Sequence, residues 1–179
     1  MVYVFLADGF EEVEALTPVD YLRRSDLDVC CVGVDKKFIV GAHKIVVEAD
    51  EVLSDCNFNL DNAMVVLPGG LQGTRNLSTN EKVLKIVNQT FKKGSLAAIC
   101  AAPSILGKLN LLKGKKACCY PGFEQLLIGA DVVDEKVVLC DNVITSKGAG
   151  TAQQFAFEIV SFLKGKNFCD NLKSDLQWC

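Results

Sequence analysis

Histidine occurs only once in this 179-residue sequence, at position 43, and no two cysteines have the CxxC spacing of a zinc finger. A metal site is therefore not expected, because zinc sites draw on clustered cysteines and histidines. The first ten residues lack the basic segment that precedes the apolar run of a signal peptide. The lack of such a segment and the odd number of cysteines, nine, together predict free thiols rather than a disulfide framework.

An excess of charge is also missing. The formal net charge is -3, with 50% hydrophobic and 23% charged residues, a composition typical of soluble globular proteins. Without a basic face, nucleic acid and anionic membranes are not expected as partners. No apolar run approaches the roughly 20 residues that span a bilayer. We expect a cytoplasmic protein with a single domain over residues 1–179.

The sequence does contain short apolar runs that alternate with stretches of helical spacing. Strands are predicted at 1–6, 29–34, 63–67, 96–99, 115–119, 131–133, 137–139 and 143–145, with a hairpin at 38–47. Helices are predicted at 11–24, 81–93, 103–109 and 152–163, and a polar loop after Gly70. This alternation predicts an α/β fold whose mostly parallel sheet is covered on both faces.

Ligands of such folds bind beyond the carboxyl ends of the strands, and Cys100 follows one of them. The small residues of LAAICAAP, at 96–103, permit the sharp turn of a nucleophile elbow, and Pro103 suits the first turn of a helix. A thiol at a helix N-terminus has a lowered pKa. The sequence therefore predicts a reactive thiolate at Cys100, the alternative being a cysteine that only fills space under the turn.

Three further residues are candidates for the same crevice. Gly69 and Gly70 end a neighbouring strand, where a backbone N–H can face an oxyanion, although Pro-Gly-Gly also forms ordinary turns. Glu14, between Val13 and Ala15, is placed to point into the sheet, the alternative being an acid that only favours the helix start. A carboxyl in an apolar site has a raised pKa and can hydrogen-bond a thiolate as an acid.

Four segments resemble the ThiJ/PfpI superfamily in order and spacing, and within it the branch of the parkinsonism-associated protein deglycase. They are ADGFEEVEALTPVD at 7–20, VVLPGG at 65–70, AAICAAP at 97–103 and ITSKGAGT at 144–151. The resemblance implies a flavodoxin-like three-layer sandwich, usually homodimeric, that needs no cofactor. It also implies that Cys100 is the reactive cysteine, that Glu14 contacts it, and that Gly70 and Ala101 supply backbone donors beside the sulfur.

The sequence also departs from this pattern. Tyr120 stands where the branch often has a histidine, and His43 is expected at a surface or an interface. Ala149, beside Gly148 in a loop expected to line the pocket, stands where relatives often have proline. Arg24 matches an arginine that the family associates with its dimer and site region, the alternative being a cation at a helix C-terminus.

The preferred function is cofactor-free handling of small reactive carbonyls, of the glyoxalase or deglycase type, with a small aldehyde as substrate. The alternative is an oxidative-stress sensor or protective chaperone that acts through oxidation of Cys100, with Cys118 or Cys119 as a resolving thiol or a core residue. An amidohydrolase or peptidase is the weakest hypothesis, because a Cys-His-acid triad lacks its histidine. At the end of the chain, Trp178 and Cys179 are expected either to dock or to fray.

Overall fold

Seven strands form the central sheet of the structure, a computed structural model that describes residues 1–178. Its strand order is β10-β11-β7-β6-β1-β2-β5, and every neighbouring pair is parallel except β10 and β11. The strands are β1 Val2–Leu6, β2 Val29–Gly33, β3 Phe38–Val40, β4 Val46–Glu48, β5 Glu51–Val52, β6 Met64–Leu67, β7 Ser95–Ile99, β8 Lys116–Ala117, β9 Asp131–Val132, β10 Val137–Cys140 and β11 Val143–Ser146. The helices are α1 Glu12–Arg24, α2 Leu71–Thr79, α3 Glu81–Lys93, α4 Pro103–Lys108, α5 Ala152–Lys164 and α6 Lys166–Asp175.

Both faces of the sheet are buried, as continuous apolar strands require. Along β1, Val4 and Leu6 face one core together with side chains of α1, α5 and α6. Tyr3 and Phe5 face a second core that includes side chains of α3 and α4. This arrangement confirms the α/β, flavodoxin-like sandwich predicted from the sequence.

The strand order places the crevice. From β1 the chain first adds β2 on one side, and then returns to add β6 on the other side of β1. A reversal of this kind opens a crevice at the carboxyl ends of the strands. Gly69 and Gly70 follow β6, Cys100 follows β7, and the helix that carries Glu14 follows β1. The topology therefore brings these three segments to one edge of the sheet.

The predicted hairpin forms and folds over the start of α1. Strands β3 and β4 pair as an antiparallel ribbon. The ribbon is held in place because the Val40 backbone N–H donates to Asp8 Oδ1 at 2.9 Å, and that of Ala42 donates to the Phe10 carbonyl at 2.8 Å. The hairpin thereby forms one side of the crevice.

Two details differ from the sequence-based prediction. The polar loop expected after Gly70 is largely α2, whose sequence LQGTRNLST contains few large apolar side chains. The expected strand at 115–119 shrinks to β8, which pairs only with β9 in a separate small sheet.

The chain also ends in a helix, α6, after which the Trp178 ring docks 5.1 Å from that of Phe157. Cys179 lies outside the described residues. Among residues 1–178, no helix combines the length and the apolar character that crossing a bilayer requires.

Candidate active site

Cys100 occupies a strained turn between β7 and α4. Its φ of 65° lies in the left-handed region, which is unfavourable for a residue with a side chain and is a feature of nucleophile elbows. Two backbone hydrogen bonds hold the turn: the Cys100 N–H donates to the Ser146 carbonyl at 2.9 Å, and the Tyr120 N–H donates to the Cys100 carbonyl at 2.9 Å. Two separate segments therefore hold Cys100 in its strained backbone conformation. In this conformation its half-buried thiol lies at the crevice.

Glu14 reaches the same point from the first turn of α1. Its side chain is 1% exposed, and its Oε2 accepts a hydrogen bond from the Gly69 N–H at 2.9 Å. The carboxylate also accepts a hydrogen bond from the Cys100 thiol. The alternative interpretation of Glu14, an acid that only favours the start of the helix, is therefore wrong, because the carboxyl is buried and contacts Gly69 and Cys100.

The backbone N–H groups of Gly70 and Ala101 hydrogen-bond the Cys100 sulfur itself. Together with the Glu14 carboxyl, they surround the sulfur with three polar partners from three segments of the chain. Donors in this position favour a negative charge on sulfur. The arrangement therefore brings together four of the residues expected in the site: Cys100, Glu14, Gly70 and Ala101.

The protonation of the pair differs from the sequence-based prediction. Burial, the charge of Glu14 and its hydrogen bond raise the pKa of Cys100 to about 12, although the N–H groups of Gly70 and Ala101 act in the opposite direction. Burial raises the pKa of Glu14 to about 7, against the lowering effect of its hydrogen bonds to Cys100 and Gly69. The expected lowering of the thiol pKa is therefore wrong, because burial and the charge of Glu14 outweigh the backbone N–H groups that favour the thiolate.

Two glycines permit this close approach. A Cβ on Gly69 would lie 2.5 Å from Glu14 Oε2 and 2.6 Å from Cys100 Cβ, so any side chain would separate the carboxyl from the thiol. Gly70 has a φ of 86°, and a Cβ there would overlap the backbone of Gly9 and Phe10. The Pro-Gly-Gly turn is therefore required by the packing of the site.

Some of the remaining candidate residues border the site, and others lie away from it. Tyr120 is 51% exposed, and its ring approaches Gly148, where a Cβ would come within 3.2 Å of the ring and 3.8 Å of Glu14 Oε1. Ala149 is exposed in the short turn that follows. Arg24 lies at the opposite end of α1 from Glu14, exposed and paired with Asp20 at 2.8 Å. Tyr120 and Gly148 thus border the site, whereas Arg24 of this chain is not brought to it.

The hairpin contributes a wall that the sequence did not reveal. A depression of about 600 Å³ lies beside Gly70, and hairpin residues 40–44 line it opposite Gln72 and Glu11. His43 is at its rim, with Nδ1 3.0 Å from Glu12 Oε2 and 3.4 Å from Glu11 Oε1. The contact between His43 and Glu12 joins residues that are 31 positions apart, so no local sequence pattern predicts it.

Within residues 1–178, the group Glu11, Glu12 and His43 is the one whose ligand atoms lie close enough together to hold a metal ion, all within 4.8 Å. The buried Glu12 carboxylate is already engaged there, because its Oε1 accepts the His43 backbone N–H at 2.8 Å. Among the described residues, no contact joins His43 to Cys100. Tyr120, at the position where related sequences often have a histidine, carries a phenol and not an imidazole. No histidine therefore completes a hydrolytic triad with Cys100.

The profile of the DJ-1/PfpI family matches residues 1–162 of the chain. Protein DJ-1 homolog B of Arabidopsis thaliana is 38% identical over 92% of this chain, and the chain spans only 38% of that longer protein. A deglycase of Pyrococcus abyssi is 32% identical over 91% of this chain and 99% of its own length. Among solved structures, oxidized Toxoplasma gondii DJ-1 superposes with a TM-score of 0.93 at 26% identity, over 99% of this chain and 98% of that one.

Proposed function

The chain belongs to the DJ-1/PfpI family, and from this premise we propose that it converts small reactive carbonyl compounds through Cys100 and Glu14. The observation that carries the proposal is the contact of a buried carboxyl, with a pKa of about 7, and a thiol that two backbone N–H groups also face. Such a carboxyl can both accept and return a proton near neutral pH. The proposal needs neither a metal nor a histidine.

The first step forms the carbon–sulfur bond. The Glu14 carboxylate takes the proton of the Cys100 thiol, and the sulfur adds to the aldehyde carbon of a 2-oxoaldehyde. The electron pair of the C=O bond moves onto oxygen, which takes the proton back from Glu14 and gives a hemithioacetal. While the negative charge is on sulfur, the N–H groups of Gly70 and Ala101 stabilise it, and we expect the same two groups to donate to the new oxyanion.

The second step moves a proton between two carbons. The ionised Glu14 removes the hydrogen of the former aldehyde carbon, and the electron pair moves onto the neighbouring carbonyl oxygen to give an enediolate. Glu14 then returns this proton to the neighbouring carbon, and the hydroxyl proton of the first carbon moves to the neighbouring oxygen, which yields a thioester of a 2-hydroxy acid. Water hydrolyses the thioester and restores the thiol. The sum is one oxoaldehyde and one water converted to one hydroxy acid, with no change in the redox state of the protein.

The experiment is to incubate the purified protein with methylglyoxal and to measure lactate. Wild type and a Cys140→Ser control, whose half-buried thiol lies on β10, are expected to turn over equally. Cys100→Ser should lose turnover, and Glu14→Gln should lose most of it, since Gln cannot move a proton. Lactate formation by Cys100→Ser at the wild-type rate would refute the proposal.

A second function is favoured by the same three contacts. A Cys100 sulfinate would accept hydrogen bonds from Gly70, Ala101 and a protonated Glu14, so the site would stabilise an oxidised sulfur. A sensor of oxidants is therefore the second candidate. Peroxide titration with peptide mass mapping tests it: Cys100 should be oxidised to sulfinate ahead of the other thiols, and Glu14→Asp, with its shorter reach, should lose that preference.

We also propose that the chain acts as a cytoplasmic homodimer. Exposed apolar side chains cluster where α1 meets the hairpin: Val13 is 47% exposed, Ile45 53% and Val46 58%. Apolar groups collected in this way favour burial against a partner. Analytical ultracentrifugation should give twice the chain mass for wild type, and Val46→Glu should shift it toward the monomer.

A further inference from the structure

Two cysteines outside the candidate active site lie against each other. Cys30 is on β2, in register with Tyr3 of β1, and both side chains belong to the core on one face of the sheet. Its neighbour Cys31 belongs to the core on the other face, the face of α1. Cys30 therefore faces away from Cys31, on the face opposite to Glu14.

Cys56 reaches the same place from the segment after β5. Its backbone N–H donates to the Val52 carbonyl at 2.9 Å, which turns the chain back over the sheet. Two residues later the Phe58 ring packs 4.9 Å from that of Tyr3, and the Asn59 N–H donates to the Tyr3 hydroxyl at 3.0 Å. These contacts fix the segment above Tyr3 and its strand partner Cys30.

The two thiols lie close enough on this face of the sheet to influence each other's ionisation. Each thiol is half-buried rather than enclosed, so a small oxidant has access to the pair. Both also lie close enough to Tyr3 to influence its hydroxyl. Thiols in mutual contact on two separate segments are the arrangement from which a disulfide forms without a large movement of the backbone.

We propose that Cys30 and Cys56 form a reversible disulfide when the protein encounters a hydroperoxide. In the first step the Cys56 thiolate attacks the peroxide oxygen, the O–O bond breaks, and the leaving oxygen takes a proton as water or alcohol. In the second step Cys30 gives up its proton and attacks the Cys56 sulfenic acid, forming the S–S bond and releasing water. Two thiols are oxidised and one peroxide is reduced.

Cys56 is assigned the first step because it lies in the turn after the edge strand β5, whereas Cys30 lies within β2, between β1 and β5. Burial raises the pKa of Cys56, but the neighbouring Cys30 acts against this rise. Burial, and next the charges of Cys56 and Asp50, raise the pKa of Cys30 to about 12. Cys56 is therefore the thiol that ionises first, and Cys30 is the resolving thiol.

The disulfide would close a ring over residues 30–56, which includes the hairpin beside the candidate active site. It would also tie down β5, a two-residue strand at the edge of the sheet. A cross-link across a segment of this length restricts the unfolded chain and stabilises the fold. Oxidation of this pair would thus stiffen the hairpin that lines the depression beside Gly70.

The experiment uses the full chain with Cys100→Ser, so that its result does not depend on the proposed function. The reduced protein is treated with hydrogen peroxide, its remaining thiols are alkylated, and a tryptic digest is mapped without reduction. The chain has cleavage sites at Lys36 and Lys44, so a disulfide joins two separate peptides. We expect that linked pair, its disappearance with dithiothreitol, and a rise in Tm of the oxidised protein.

Matched variants identify the partners. Cys56→Ser and Cys30→Ser should each remove the linked pair, whereas Cys31→Ser should retain it although it alters the same peptide. Cys30→Ser should in addition leave a sulfenic acid on Cys56 that dimedone traps. Absence of the linked pair once peroxide has been consumed, or its persistence in Cys56→Ser, would overturn the proposal.

Discussion

Replacing Glu14 by glutamine should stabilise the protein at alkaline pH while it impairs the site. Glu14 is 1% exposed, and burial raises its pKa from the usual 4.5 to about 7. Ionised Glu14 is therefore less favourable in the folded chain than in the unfolded one. Glutamine keeps the shape of the side chain and an oxygen for the Gly69 N–H, but it carries no charge at any pH.

The size and sign of the effect follow from linkage. Between pH 4.5 and about 7 the folded chain retains a proton that the unfolded chain has already lost, so the free energy of unfolding falls as the pH rises. The separation of the two pKa values corresponds to about 3 kcal/mol, at about 1.4 kcal/mol per pH unit. The loss is complete above about pH 7, and the glutamine variant does not suffer it.

The assay is urea unfolding of both proteins at several pH values. The stability of Glu14→Gln relative to wild type should increase by about 3 kcal/mol from about pH 4.5 to about pH 8, and it should level off there. Comparing pH values within each pair of proteins removes any constant effect of the substitution on packing. A relative stability that is independent of pH, or that falls as the pH rises, would refute the reasoning.

Glu12→Gln is the matched control, since Glu12 is also buried on α1, two positions away. Burial raises the pKa of Glu12, but hydrogen bonds from His43 and the backbone outweigh this, and the net effect is a lowered pKa. Its contribution to stability is present above its unfolded pKa and is lost as the pH falls. Glu12→Gln should therefore destabilise the protein at neutral pH, with a pH dependence opposite in sense to that of the benefit from Glu14→Gln.

Three other substitutions test separate parts of the molecule. Gly69→Ala should lower kcat/KM for methylglyoxal by roughly 100-fold, because its Cβ would lie 2.5 Å from Glu14 Oε2 and move the carboxyl from the sulfur. His43→Gln should destabilise the protein below about pH 6.5 and much less at alkaline pH. The hydrogen bond with Glu12, and then the charges of Glu11 and Glu12, raise the pKa of His43. The stabilisation by protonated His43 is therefore lost as the pH rises through that pKa. Asn80→Ala should cost about 1 kcal/mol in urea unfolding, independent of pH, because the Asn80 side chain accepts the Lys82 and Val83 N–H groups at the start of α3.

The sheet could be predicted because its signal is local. The inner parallel strands β1, β6 and β7 are buried on both faces, so they appear in the sequence as continuous apolar runs. Helix α2 could not be predicted this way: its buried residues are Gly73, Thr74 and Leu77, which form no apolar stripe. It begins instead at the positive φ of Gly70, a conformation fixed by contact with Gly9 and Phe10.

The composition of the site was predictable, but its electrostatics were not. The position of Cys100 between a strand and a helix, and the resemblance of the motifs, indicated its neighbours Glu14 and Gly70. The pKa of the thiol depends on burial and on a charge that a different helix brings to it, so the local pattern gave the wrong direction. The contact of Cys30 with Cys56 is hidden for the same reason, because only the fold brings the two segments together.

The charge of Glu14 both raises the pKa of Cys100 and offers a base for its proton. When the thiol proton moves to Glu14, the repelling charge disappears, while the N–H groups of Gly70 and Ala101 still face the sulfur. This proton transfer leaves a thiolate beside a neutral carboxyl. It requires that Glu14 has first lost its own proton to solvent, because only the carboxylate can accept the proton of the thiol. The reactivity of Cys100 should accordingly rise with pH around 7, the pKa of Glu14, rather than around 12.

Alkylation of Cys100 by iodoacetamide, followed across pH by peptide mass mapping, measures this. Wild type should show an increase in rate centred near pH 7, because ionised Glu14 is the group that accepts the thiol proton. In Glu14→Gln the increase should move to higher pH, since burial still opposes ionisation of the thiol and no neighbouring base remains. An increase near pH 7 that survives in Glu14→Gln would assign it to another group and separate the reactivity of Cys100 from the carboxyl beside it.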